Sequence, residues 1–293
     1  MRLLAIDTAL PAVSACVLDS HEIEPLALES RPMERGHAEA IGPLIQRVVG
    51  AVDGGFASLD RVAVTVGPGS FTGVRIGLAA AQAIALARRI ELVGVSTLSA
   101  LAAPSFLEPF EGVIAAAIDA RHGQVYVAAF GPDGRMLAPP RRAGVAEALR
   151  ALGDYPPFGQ GGGSTQKLLL VGSGAALLEA QARANGLSAR VVSDAPAPDI
   201  VFVARLGLVA NPDDAPARPL YLKPPDAKPV AFARVVSAPS GAADLAEPEH
   251  AFETAPNDAS APVAEEKPNR LEPPSAAINE ARPGGDVNES CPS

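Results

Sequence analysis

The residues with chemical potential in this chain gather at its turns. The first turn is Gly67-Pro68-Gly69-Ser70, between the β-branched run Val62, Val64, Val66 and an alanine-rich stretch that extends to Arg88. A glycine turn that opens a helix presents free backbone N–H groups, a common receptor for phosphate. The standard templates do not fit it. A P-loop needs Gly-x-x-x-x-Gly-Lys-Ser/Thr, whereas five residues separate Gly67 from Gly73 and Val74 stands at the lysine position. A dinucleotide turn starting at Gly67 needs a glycine where Thr72 stands. The turn therefore reads as a strand-to-helix connection, with Ser70 or Thr72 capping the helix through its hydroxyl. Asp7, Thr8 and Ser14 flank a second turn, and Asp119 with Arg121 flanks a third. Hairpins that carry hydroxyls and amides at their tips can close on a nucleotide from two sides. An Asp-Thr pair can equally satisfy its own turn. Arg75 and Arg121 sit beside the glycine-containing turns, where a guanidinium could meet an anion or a carboxylate across an interface. The candidate turn or vestigial nucleotide-site residues are thus Asp7, Thr8, Ser14, Gly67, Gly69, Ser70, Thr72, Arg75, Asp119 and Arg121.

Other chemistries find no residues to carry them. His21, His37, His122 and His250 are never paired at i, i+3 or i+4, so no metal site is expected. No serine lies in a Gly-x-Ser-x-Gly elbow, and neither Cys16 nor Cys291 has a histidine partner in sight. Two cysteines form no disulfide framework, which suits a reducing, cytoplasmic setting. Asp7 interrupts the opening apolar run, so neither a signal peptide nor a membrane span is expected. No catalytic residue, metal or cofactor is assigned. The net charge of −9 is unevenly placed: residues 226–293 hold 12 acidic and 5 basic residues, leaving 21 against 19 for residues 1–225. A body so close to neutral does not hold RNA by itself, because phosphate neutralisation by Lys and Arg supplies much of that affinity. Any RNA contact is expected only through a partner.

Positioning these turns requires an α/β scaffold. Residues 1–20 read as two strands joined near Pro11, and residues 26–29 offer a third. Ile41, Leu44, Ile45, Val48, Val49 and Val52 recur at helical spacing, predicting a helix over 37–52 with His37 in its first turn. Strand 62–66, helix 72–88, strand 92–95 and a helix start at 97–103 follow. Within the second helix Gly73, Gly77, Ala81 and Ala85 recur every four residues. Such a narrow stripe lets another backbone come close, so this helix is expected to pack against something. Strands 113–119 and 124–130 then repeat the opening pattern, with Asp119 where Asp7 stands in the first, which suggests a duplicated domain. Segments 145–152, 168–172, 175–185 and 200–210 complete the second copy, and Gly-rich 159–164 reads as a flexible loop. From about residue 225 the Pro, Ala and acidic composition predicts a disordered tail. The expected division is 1–106, 107–224 and a tail over 225–293.

Several stretches together resemble one family. AIDTA, GHAEAIGPLI, VGPGSFTGVRIGLAAAQAIA, GVSTLSALA, IDARHGQVYVAAF and RPLYLK are similar to the TsaB, or YeaZ, family over residues 1–223. The resemblance implies the two-domain ASKHA fold (actin-like ATPase, ribonuclease H-like), duplicated. It also implies a non-catalytic role in forming N6-threonylcarbamoyladenosine (t6A) in tRNA, as partner and activator of TsaD. The catalytic paralogue TsaD carries a segment like GVNHLEGH whose two histidines hold a metal; here GVSTLSAL places Thr97 and Leu101 at those positions. Further implied partners are the ATPase TsaE and a second copy of the chain when TsaD is absent. The implied interface is a helix bundle built from His37, Ile41, Leu44, Ile45, Val48, Gly73, Val74, Gly77, Ala81 and Ala85. On this reading Gly77→Leu or Ala81→Phe blocks association and leaves the fold mostly intact. The alternative is a kinase or ATPase of the ASKHA class with nucleotide between its domains. VGSGAALLE at 171–179 is the nearest candidate for an adenine-binding motif, and it reads as well as a strand-to-helix turn.

Overall fold

The structure, a computed structural model, describes residues 1–153 and 168–222. The expected loop at 159–164 and the tail over 225–293 lie outside the described residues.

The chain opens with β1 (Arg2–Asp7) and β2 (Ala12–Asp19), paired antiparallel from Arg2 opposite Asp19 to Asp7 opposite Ser14. Short alternations of Leu, Ile, Val and Ala on both faces make these strands buried on each side. β3 (Ala27–Pro32) adds antiparallel to β2. Helix α1 (His37–Gly50) leads to β4 (Arg61–Gly67), which runs parallel to β1, and α2 (Phe71–Arg88) leads to β5 (Glu91–Ser96), parallel to β4. The first sheet has the order β3-β2-β1-β4-β5.

After the short α3 (Thr97–Ala102) the plan repeats. β6 (Val113–Asp119), β7 (Gln124–Phe130) and β8 (Met136–Gly144) form an antiparallel set. Next come α4 (Val145–Gly153), β9 (Leu168–Val171), α5 (Ala175–Ala184) and β10 (Ala189–Ser193). This sheet runs β10-β9-β6-β7-β8, the first order read backwards with every strand replaced by its counterpart. The duplication is thus real in topology: β1 corresponds to β6, β4 to β9 and α2 to α5, and Asp7 and Asp119 each end their strand. The sequence reading lacks β10. ARVVS is short and half exposed, as an edge strand tolerates, so it shows none of the apolar continuity that marks β6.

Two packing layers cover the first sheet. On one face, Ile41, Leu44, Ile45, Val48 and Val49 of α1 and Val74, Leu78 and Ala81 of α2 join Leu4, Ile6, Val62 and Val64. On the other face lie Leu3, Ala5, Leu18 and Ala63, and they are covered by α6 (Ile200–Val209) through Ile200, Val203 and Ala204. Residues 200–210 are expected in the second copy, and the structure returns them to the first. The physical reason is that this sheet face would otherwise stand in water, while α6 is apolar almost all round and needs such a cover. Arg61 at the start of β4 secures the return: its Nη1 donates to the carbonyls of Gly207 at 3.1 Å and Ala210 at 2.9 Å. The chain then runs back along the sheet, with the Gly94 N–H donating to the Ala215 carbonyl and the Leu220 N–H to the Val66 carbonyl, both at 2.8 Å.

Candidate functional site

The glycine turn is held by the β1–β2 hairpin beneath it. Gly67 adopts a φ of 100° that a side chain would strain. Ser70 is the helix cap, its Oγ accepting from the Gly73 N–H at 3.2 Å, and Thr72 lies within the helix. The Ser70 N–H donates to the Ala9 carbonyl at 2.7 Å, and Thr8 Oγ1 donates to the Gly73 carbonyl at 2.7 Å. A Cβ on Gly69 or Gly73 would run into the Ala9 or Thr8 carbonyl. The second half repeats this contact: a Cβ on Gly172 would meet the Ala117 carbonyl at 2.5 Å. VGSGAALLE is therefore built as a strand-to-helix turn packed on β6.

This contact turns the hairpin residues inward and corrects their expected place at an open tip. Asp7 and Thr8 are wholly buried and Ser14 nearly so. Asp7 Oδ1 accepts from the Ala9 N–H at 3.0 Å and from Thr65 Oγ1 at 2.5 Å, while its Oδ2 has no partner among the described residues. Burial pushes the Asp7 carboxyl above its ordinary range, and the Thr65 and Ala9 hydrogen bonds and nearby His37 oppose that push. Ser14 Oγ shares a 2.7 Å hydrogen bond with Ser30 Oγ. All three side chains hold the fold.

The remaining turn candidates separate. Gly69, Ser70 and Thr72 do line a cleft of about 770 Å3, together with His37, Asp119 and Arg121 from the facing hairpin. Here the structure brings together residues from three distant segments. Asp119 Oδ1 accepts from the Arg121 N–H at 2.7 Å, which fixes the tight turn and the positive φ of Arg121. The wall is of mixed sign, with Arg35 and Arg121 against Glu34, Glu39 and Asp119. Two of the amides that a phosphate would use, those of Ser70 and Gly73, are already committed within the chain. Gly67 and Arg75 do not line this cleft. Among the described residues no three His, Cys, Asp or Glu side chains are grouped to hold a metal.

The ten expected interface residues are a second correction. Ile41, Leu44, Ile45, Val48, Gly73, Val74, Gly77, Ala81 and Ala85 all face the chain's own sheet and are buried. His37 is half-buried, its Nε2 at 3.1 Å from the Leu10 carbonyl. The small-residue stripe lets α2 descend onto Thr8 and Val64: a Cβ on Gly77 would stand 2.5 Å from Thr8 Oγ1. Gly77→Leu and Ala81→Phe would thus strike the core, and the expectation of an intact fold does not hold. The outward face of α2 is instead Thr72, Arg75, Ala79, Gln82, Ala83 and Leu86, the last 81% exposed; α1 turns Gly42, Pro43 and Gln46 outward.

Two further features come from the tertiary structure. Arg75 Nε donates to Tyr221 Oη at 2.9 Å, and its guanidinium carbon lies 3.7 Å from the Phe71 ring centre. The only hint of Tyr221 in the sequence is its place in RPLYLK, and Phe71 carries no signal beyond lying in the glycine block. Thr97 and Leu101 of α3 are both buried, Leu101 within the main core cluster.

Comparison with known proteins agrees with this architecture. The family model described as TsaD, tRNA N6-adenosine threonylcarbamoyltransferase, matches residues 31–193. The tRNA threonylcarbamoyladenosine biosynthesis protein TsaB of Escherichia coli is 38% identical over 133 residues, 45% of this chain and 56% of that protein, so the match spans little more than half of that relative. An uncharacterized protein of Mycobacterium tuberculosis is 32% identical over 228 residues, covering 78% of this chain and 94% of its own length. YeaZ from Pseudomonas aeruginosa superposes with a TM-score of 0.56 at 23% identity, over 75% of this chain and 99% of that one. The duplicated sheets, their order and these matches define an α/β protein of the ASKHA fold class. Within that class the chain belongs to the TsaB (YeaZ) family. No helix among the described residues is long and apolar enough to cross a membrane.

Proposed function

We propose that the chain serves t6A formation in tRNA as a non-catalytic subunit that binds and activates TsaD and helps to recruit TsaE. The observation that carries this reading is the state of Thr97 and Leu101. At the positions where TsaD holds its metal through histidine, a leucine offers no donor atom and is packed into the core. A protein of this family without that ligand pair keeps the scaffold and contributes surface. The outward faces of α1 and α2 support the docking role: small and apolar residues at Gly42, Ala79, Ala83 and Leu86 let a partner helix come close. The same faces serve a second copy when TsaD is absent, and tRNA is reached through the complex.

The test is reconstitution with TsaD and TsaE from the same organism, omitting each component in turn and measuring threonylcarbamoylation of tRNA. Modification that needs this chain, with no ATP hydrolysis or tRNA modification by the chain alone, is expected. Turnover by the isolated chain would overturn the reading in favour of a nucleotide-using enzyme. Leu86→Glu, on the outward face, is expected to abolish co-purification with TsaD and leave the melting temperature within about 2 °C, since exposed substitutions cost little stability.

A further inference from the structure

We infer that Arg75 is a preorganised receptor for a carboxylate side chain of the protein that docks on α2, with Phe71 and Tyr221 as the aromatic frame that holds it. This inference rests on the docking reading above and names the chemistry at one point of that surface.

Two separate parts of the chain build the receptor. Phe71 is the first residue of α2, Arg75 lies one turn on, and Tyr221 arrives from the far end of the described chain. Tyr221 is placed by its neighbour, because the Leu220 N–H is tied to the Val66 carbonyl beside the glycine turn. The Phe71 and Tyr221 rings are 5.3 Å apart and tilted by 34°, and both are about half exposed. The guanidinium lies over Phe71 at 3.7 Å and spends its Nε on the tyrosine oxygen at 2.9 Å. Among the described residues nothing occupies Nη1 or Nη2, and Arg75 has no acidic partner. An arginine held from two sides with its forked end open has already lost the rotamer freedom that binding would otherwise remove. The two parallel N–H groups of such a fork match the two oxygens of a carboxylate.

The surroundings favour a protein carboxylate over an RNA phosphate. The other cation of α2, Arg88 in its last turn, donates to the Ala57 carbonyl, and the outward face beyond Arg75 is Ala79, Gln82, Ala83 and Leu86. A phosphate-binding face needs several cations in a row. One arginine framed by aromatic rings beside an apolar strip is the composition of a protein-interface hot spot.

The experiment compares binding of TsaD by the full-length chain and by Arg75→Gln, Arg75→Lys and Tyr221→Phe, with thermal melting of each. Arg75→Gln is expected to weaken binding by about 30-fold or more, as when one partner of a desolvated charge pair is removed. Arg75→Lys recovers little of that loss, because a point charge lacks the fork. Tyr221→Phe keeps the ring, loses the Nε acceptor and is expected to weaken binding roughly 3-fold through lost preorganisation. All melt as the parent does. Arg75→Glu regains binding when one acidic residue of the partner is changed to arginine. A complex that forms equally well with Arg75→Gln, or with Arg75→Lys, overturns the carboxylate receptor and leaves the docking reading standing. A parent chain that forms no complex overturns both. Loss of tRNA binding by the isolated Arg75→Gln chain, with TsaD binding intact, would reassign the site to phosphate.

Discussion

Replacing Gly77 by alanine sets two opposed effects against each other at the centre of α2. In a free helix the change stabilises by about 1 kcal/mol, because alanine gives up less backbone entropy than glycine. In this fold the new Cβ would stand 2.5 Å from Thr8 Oγ1 and 3.5 Å from a Val64 methyl. Thr8 is wholly buried and cannot retreat to solvent, and its hydroxyl already donates to the Gly73 carbonyl at 2.7 Å. To make room, α2 must lift off β1 or the hydroxyl must rotate off its acceptor. Overpacking costs about 1–3 kcal/mol and a buried hydrogen bond left unmade about 1–3 kcal/mol. With both costs incurred and the propensity gain deducted, the net loss is about 1–5 kcal/mol. At this size it lowers the melting temperature by roughly 2–4 °C for each kcal/mol. Urea or thermal denaturation of the purified chain measures it, and Thr8→Ala combined with Gly77→Ala should recover part of the loss, since the two sites touch. A stability equal to or above that of the parent would refute the inward-facing stripe and restore the view that Gly77 awaits another protein.

Two further perturbations follow from buried polar groups. Arg61→Met keeps the apolar stem and removes the donor shared by the Gly207, Leu208 and Ala210 carbonyls; a loss of about 2–4 kcal/mol is expected, with faster hydrogen exchange in α6. Glu91→Gln, at a carboxylate that is mostly exposed, should cost under about 1 kcal/mol; an equal loss from both variants would place the anchor in the ion pair instead. Asp7 has its carboxyl raised above the ordinary value of 3.8 by burial, so its contribution is full below that value and is lost as pH rises through the higher folded-state value. Asp7→Asn should therefore flatten the stability profile above pH 3.8 and gain most relative to the parent at neutral pH; parallel profiles for the two proteins would count against this.

Much of the scaffold is legible from residue order because its strands are buried on both faces. Val113–Asp119 and Gln124–Phe130 appear at the expected bounds, since continuous Val, Ile and Ala runs between turn residues leave few alternatives. The helix over 37–52 is likewise visible in its apolar spacing, and it ends at Gly50. The candidate site is less legible. The residue types at the turns are plain, yet only the fold separates those that line the cleft, such as Ser70, Asp119 and Arg121, from those that brace it, such as Asp7, Thr8 and Ser14. A hydroxyl at a strand end hydrogen-bonds a ligand or its own chain with the same chemistry, and spacing does not distinguish the two.

The stripe Gly73, Gly77, Ala81, Ala85 shows where that boundary lies. The sequence by itself determines that something must approach α2 closely along this face, because small side chains leave room that a folded protein fills. Which neighbour fills it is a long-range matter: Thr8 reaches Gly73 and Gly77 only through the pairing of β1 with β4 and the crossover of α2. The same holds for α6 and Tyr221, whose places follow from a bare sheet face and from the hydrogen bond of the neighbouring Leu220 to Val66 in β4. Local composition decides which surfaces must be covered; the tertiary structure decides by what, because coverage depends on contacts between segments 65 to 146 residues apart.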